Sequence, residues 1–183
     1  ILHCDINNCY ASIECAENPA LRGKPVAVCG DVEERHGIVL AKSLEAKAYG
    51  VQTGETVWKA KTKCPNLSIV RPHFDLYMKY SKAVRDIYYR FTDQIESFGI
   101  DECWLDVTGS TKLFGSGIEI ANKIRSAVSA ELGITISVGV SFNKVFAKLA
   151  SDLKKPDAVT CIEKKLFKKI VWPLPVSDLI GVG

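Results

Sequence analysis

The chain has 183 residues, 47% apolar and 25% charged, enough for one good core or for two small lobes around it. These fractions exclude wholesale disorder, and no apolar run nears the ~18 residues that a membrane-spanning helix requires. Twenty-four Lys and Arg against 21 Asp and Glu leave a net charge of +3, which neither demands nor excludes a nucleic-acid partner.

In chain order, the apolar ILHC before Asp5 predicts a short strand ending at an acid, and residues 8–16 predict a helix closed by Asn18-Pro19. The apolar runs at 26–29 and 38–40 predict two more strands, with the polar stretch GDVEERHG as a loop or hairpin connection. Short helices follow over 45–49, stopped by Gly50, and over 56–63, stopped by Pro65; residues 67–70 predict a strand ended by Pro72. From Phe74 the pattern lengthens. Leu76, Tyr77, Tyr80, Val84, Ile87, Tyr88 and Phe91 recur at helical spacing and predict a long amphipathic helix. Strands over 95–98 and 103–107 are joined tightly through Gly99. A second amphipathic helix covers 118–132, with Gly133 as its stop, and a β-branched strand covers 135–140. A third helix over 144–153 is broken at Lys155-Pro156, and a strand over 158–162 closes the set.

With the block 23–72 lifted out, the order is strand, helix, strand, strand, helix, strand. That order predicts an α+β, ferredoxin-like fold, an antiparallel sheet with helices on one face, and makes the lifted block an inserted small α/β lobe. Seven cysteines, an odd number with no CxxC pair, sit mostly in apolar surroundings and predict reduced, buried thiols in a cytosolic protein rather than a disulfide framework or a zinc cage. His3, His36 and His73 have no helical i, i+4 partner and read as surface or packing histidines. Eight lysines against three acids over 144–169 fit a solvated helix face as well as a nucleic-acid contact. The opening residues carry no basic leader before a greasy stretch. A chain that lacks an initial Met, opens in strand-like sequence and stops at IGVG is expected to be a piece of a longer protein.

The acids at the strand ends carry the chemistry. In the ferredoxin-like order the first and third strands are neighbours, so Asp5 and the pair Asp101-Glu102 converge. Three clustered carboxylates repel in a partly dry site and call for a cation between them; hard oxygen donors suit Mg²⁺ or Mn²⁺ better than zinc. Two such ions suit phosphoryl or nucleotidyl transfer. Equally, Asp5 and Asp101 can cap turns while Glu102 points to water. Asp106 falls a strand step away and reads as the cap of the following TGS turn. Lys155 and Lys47 are the candidate cations for a triphosphate, and the backbone of residues 7–10, entering a helix, offers N–H groups to phosphate oxygens.

The stretches HCDINNCYASIE, LAKSLEAKAYGVQTG, GIDECWLDVTGS and SVGVSFNKVFAKLASDLKKPDAV resemble, in order and over nearly the whole chain, the catalytic part of the Y-family translesion DNA polymerases, the DinB/UmuC group. The resemblance implies that Asp5, Asp101 and Glu102 are catalytic, metal-binding acids, with the Ile6 carbonyl as a further ligand to two Mg²⁺ ions (Mn²⁺ as substitute). It implies that Tyr10 is the sugar gate, that Asn8 and Cys9 lend backbone contacts to the dNTP triphosphate, and that Lys155 and Lys47 contact it. Residues 1–10 and 73–162 are then the palm, 11–72 the fingers, and 163–183 the start of a thumb. The implied partners are primer–template DNA, a dNTP and a sliding clamp reached through a C-terminal region outside this chain, with no membrane; the implied location is the bacterial cytoplasm, at the nucleoid when active. Three positions depart from the pattern: Leu44 and Lys47 stand where DinB-type members carry Tyr and Arg, closer to the UmuC branch, and Gly99 replaces a serine. Lysine keeps the charge of arginine but loses its fork.

Two other functions are compatible with the same features. One is a catalytically weak relative acting as a DNA-binding or scaffolding subunit, against which the presence of all three acids argues. The other is a nucleotidyl cyclase, which uses a ferredoxin-like palm with two metal-binding acids; the fingers-like insertion and Tyr10 favour the polymerase.

Overall fold

The computed structural model describes residues 1–30 and 37–182; the expected connection through 31–36, His36 included, and Gly183 lie outside the described residues. The elements are β1 (Leu2–Ile6), α1 (Cys9–Glu17), β2 (Val26–Cys29), β3 (Val39–Lys42), α2 (Leu44–Ala48), α3 (Val57–Lys63), β4 (Ser68–Val70), α4 (Phe74–Tyr88), β5 (Ile95–Phe98), β6 (Glu102–Leu105), α5 (Thr111–Phe114), α6 (Gly117–Leu132), β7 (Ile136–Ser141), α7 (Lys144–Leu153), β8 (Val159–Ile162) and α8 (Phe167–Val171). Among the described residues no helix is long and apolar enough to cross a membrane. The chain forms two compact units, one of Ile1–Asn7 with Ser81–Gly183, the other of Asn8–Tyr80.

The first unit is built on a five-stranded sheet in the order β5-β6-β1-β7-β8. Its first four positions are the ferredoxin-like order, all antiparallel neighbours. The crossover through α7 then adds β8 parallel to β7 at the edge. Alternation along β1 sends Leu2, Cys4 and Ile6 to one face and His3 and Asp5 to the other. On the Leu2 face, Gly117 at the start of α6 meets Val140. On the opposite face lies α7, beyond the minimal ferredoxin-like set, and Gly139 is where it docks. A Cβ there would lie 1.9 Å from the Ala147 carbonyl oxygen, so only glycine lets helix backbone meet strand backbone.

Local chemistry explains the helix bounds. Ser116 and Glu119 form a capping box at the start of α6, and Gly133 ends it in the left-handed region at φ 66°. Asn143 caps α7 by accepting from the Phe146 N–H at 2.8 Å. The helical pattern that continues to Phe91 outruns its helix: α4 stops at Tyr88, and Phe91 packs on Phe114 of α5, with ring centroids 5.2 Å apart. Beyond β8, Phe167, Ile170, Val171, Leu174 and Leu179 pack against Phe146, Leu149 and Ile162.

The second unit holds a three-stranded sheet, β3-β2-β4, with β2 antiparallel to β3 and parallel to β4. Its core gathers Ala27, Cys29, Val39, Ala46, Val51, Val57, Ala60, Cys64 and Leu67. Ser43 and Thr56 cap α2 and α3.

Candidate active site

The ladder between β1 and β6 sets the geometry. The Ile6 N–H donates to the Asp101 carbonyl at 3.0 Å, and one step back Asp5 stands directly opposite Glu102. Opposed residues of an antiparallel pair project to the same face, so the acids of two distant segments meet on the face covered by α7. Like charges placed opposite each other destabilise a sheet. Here α7 and the residues after it bring cations to that corner.

Lys148 Nζ lies 3.5 Å from Asp5 Oδ2, 3.1 Å from the Glu102 carboxylate and 3.3 Å from Asp152 Oδ2. Lys155 Nζ lies 2.6 Å from Asp5 Oδ2 and 2.7 Å from Asp152 Oδ1. From inside the sheet, fully buried His3 places Nε2 3.0 Å from Glu102 Oε2 and Nδ1 2.9 Å from Ser151 Oγ, whose hydroxyl donates to the Lys148 carbonyl. His3 is therefore more than a packing residue: it ties Glu102 to α7.

Burial raises the Asp101 carboxyl above the usual range, and the charges of Asp5 and Glu102 add to the rise. Burial acts upward on Glu102 too, but the His3 hydrogen bond and the Lys148 ammonium outweigh it and hold the group low. Burial opposes the Lys148 ammonium, yet Glu102, Asp152 and Asp5 together raise it; for Lys155, Asp5 and Asp152 do the same. The donor set fits a hard divalent ion, being carboxylate oxygens with one member, Asp101, that gains from a neighbouring positive charge. Among the described residues no three His, Cys, Asp or Glu side chains already form a metal cage. Lysine ammonium groups stand between the acids instead.

The flanking backbone corrects one expectation. The Asn7 N–H donates to the Thr135 carbonyl at 3.0 Å and so is not an anion donor. Its side chain is engaged as well: Nδ2 donates to Ser137 Oγ at 2.8 Å, and Oδ1 accepts from the Thr135 hydroxyl at 3.1 Å and the Asp157 N–H at 2.8 Å. Asp106 behaves as expected, accepting from the Thr108 N–H at 2.9 Å.

Asn8, Cys9, Tyr10 and Lys47 belong to the second unit. Asn8 opens α1 from the left-handed region at φ 48°, and Cys9 is buried. The Tyr10 ring stacks on Tyr77, with centroids 4.3 Å apart and planes 10° from parallel, and meets Phe74 edge-on. Beneath them, the buried Glu14 carboxylate accepts from the Tyr77 hydroxyl at 2.5 Å and lies 2.8 Å from His73 Nδ1. Lys47 is exposed at the end of α2, near enough to Lys42 to add to the lowering of that ammonium by burial.

Sequence reading did not single out Lys148, Ser151 or Asp152. A signal was present: residues 148, 151, 152 and 155 fall at i, i+3, i+4 and i+7, one helical stripe of mixed charge beside an apolar one.

In fold, the chain is similar to solved Y-family DNA polymerases. It aligns over its whole length, at 30% identity and a TM-score of 0.93, with 54% of the Dbh DNA polymerase chain in an insertion ternary complex. DinB from Sulfolobus solfataricus gives a TM-score of 0.92 at 30% identity over 53% of its chain. The chain itself belongs to the impB/mucB/samB family, whose sequence profile matches residues 4–152. It is 63% identical over all 183 residues to DNA polymerase IV of Acetivibrio thermocellus, covering 46% of that protein. With DNA polymerase IV 1 of Bacillus subtilis it shares 46% identity, covering 44%. It thus spans about half the length of the curated relatives it matches.

Proposed function

We propose that this chain carries the catalytic centre of a translesion-type, DNA-directed DNA polymerase, which transfers a nucleotidyl group from a dNTP to a primer 3′-hydroxyl during DNA damage bypass. The observation that carries the reading is the pairing of Asp5 with Glu102, next to Asp101, on one face of the sheet. Relatives named DNA polymerase IV and neighbours named Y-family polymerases support it. In the reaction the hydroxyl oxygen bonds to the α-phosphorus, the bond to the bridging oxygen breaks, and pyrophosphate leaves.

Asp5, Asp101 and Glu102, with the Ile6 carbonyl, are the residues that would hold Mg²⁺, two ions in the full site, or Mn²⁺ in its place. Bound ions of this kind neutralise charge on the transferred group and orient the attacking and leaving oxygens. Lys155, already at the rim of the acid cluster, binds the triphosphate, and Lys47 adds charge. Asn8 and Cys9 offer backbone to the phosphates, and the Tyr10 ring, fixed by its stack on Tyr77, excludes a ribose 2′-hydroxyl. In this reading residues 1–10 and 73–162 are the palm, 11–72 the fingers and 163–183 the start of the thumb. The partners are primer–template DNA and a dNTP, with a sliding clamp engaged through regions beyond this chain, in the bacterial cytoplasm at the nucleoid. Alone, this stretch is expected to extend primers weakly at best.

The test is primer extension by the full-length protein with Asp101→Ala and Glu102→Ala. Loss of activity in both is expected; activity retained in both overturns the assignment.

A further inference from the structure

Lys148 reaches three carboxylates at once, those of Asp5, Glu102 and Asp152 at 3.1–3.5 Å, with its side chain only 15% exposed. Two of these are the groups a divalent ion would need. An ammonium and a divalent cation at contact distance repel strongly in a site this dry, so both cannot be held by the same oxygens. Asp152, 43% exposed on the next turn of α7, offers the ammonium an alternative partner on the solvent side. Lys155, twice as exposed as Lys148, already leans on Asp152.

We propose that Lys148 is an internal counter-ion: it holds Asp5 and Glu102 together while no metal is bound, and an arriving divalent ion displaces its ammonium toward Asp152. This rests on the reading of the acids as metal ligands. It assigns Lys148 a positioning role and makes metal entry a cation exchange, with the sheet spared a stage of unbalanced repulsion. The mirror-image expectations are specific. Without Lys148 the acids repel when metal is absent, yet the ion meets no competitor when it arrives. A lysine that only buttresses the fold would lower stability in both states and leave metal affinity unchanged or weakened.

The experiment titrates the full-length protein with Mn²⁺ alone, without DNA or nucleotide, following free Mn²⁺ by electron paramagnetic resonance. Thermal unfolding is measured in parallel in EDTA and in saturating Mn²⁺. Lys148→Met is expected to bind Mn²⁺ about tenfold more tightly than wild type. It should melt below wild type in EDTA and close the gap in Mn²⁺. Lys148→Gln, more soluble in the unpaired state, should shift the same way, and a variant that folds only with Mn²⁺ supports the exchange as well. Unchanged or weaker Mn²⁺ binding by both variants, with wild-type binding abolished by Asp101→Ala, overturns the counter-ion role and leaves the metal site standing. Wild-type Mn²⁺ binding that survives both Asp101→Ala and Glu102→Ala overturns the metal site, and the counter-ion with it.

Discussion

At Asp101, burial and the neighbouring charges of Asp5 and Glu102 push in the same direction, whereas Glu102 is relieved by His3 and Lys148. An acid whose folded-state pKa is raised binds its proton more readily folded than unfolded. It therefore favours folding at low pH, and that contribution is lost as pH rises through the raised value. Asp101→Asn, which cannot ionise, is expected to raise the melting temperature of the metal-free protein at neutral pH by about 2 °C. It should abolish primer extension, and the thermal gain should fade in melts at acidic pH, where wild-type Asp101 is itself neutral. Glu14 is the counterpart in the second unit. Its carboxylate is buried and receives the Tyr77 hydroxyl. Tyr77→Phe keeps the ring under Tyr10 but strips that acceptor of a donor, a loss of about 1–3 kcal/mol that a urea melt should show as a lower midpoint at unchanged slope.

Among the elements, α7 does most to build the site, since Lys148, Ser151 and Asp152 lie on it and Lys155 follows it. Its seat is Gly139. Because a Cβ there meets backbone atoms of the helix, no side-chain adjustment can relieve the clash. Gly139→Ala is expected to cost about 3 kcal/mol or more, seen as a large fall in melting temperature, and to lower Mn²⁺ affinity in whatever fraction folds. At α6 the effect of a single change is smaller. Ser116→Ala removes one half of the capping box, and a loss of about 1 kcal/mol in chemical denaturation should leave the site's metal binding unchanged. The pairing of Asp5 with Glu102, the neighbour of Asp101 in sequence, was legible because each acid follows or precedes an apolar, strand-forming run, and the ferredoxin-like order makes those runs neighbours. What stayed hidden has a physical cause too. Lys148 and Asp152 are spaced as any solvated i, i+4 pair is, and only the contact at Gly139 turns that stripe toward the sheet. The short helices α5 and α8, with four and five residues, offer too few turns for a period to show.

Across the whole molecule, the seven cysteines are thiols outside any disulfide; five are buried, and Cys15 and Cys161 are half-buried. Burial raises the thiols of Cys4, Cys15, Cys29, Cys103 and Cys161, that of Cys29 to about 11, so the thiolate needed for alkylation is scarce at neutral pH. Iodoacetamide is expected to modify no more than these two half-buried sites slowly in the native protein and all seven in guanidinium, with no change in melting temperature on adding reductant. Mass spectrometry of the labelled chain checks the count. The apolar alternation around most of these residues already announced them as interior groups, and no spacing hinted at a bridge.

Asn7 has a consequence that reaches Lys155. Its amide joins the end of β1 to the entrance of β7 and, through the Asp157 N–H, to the turn just after Lys155. The main chain beneath that lysine is thereby moored to the same strand that carries Asp5. The long side chain is thus rooted in tethered backbone, so its ammonium swings on an anchored pivot, and the radius of that swing is set by four methylenes.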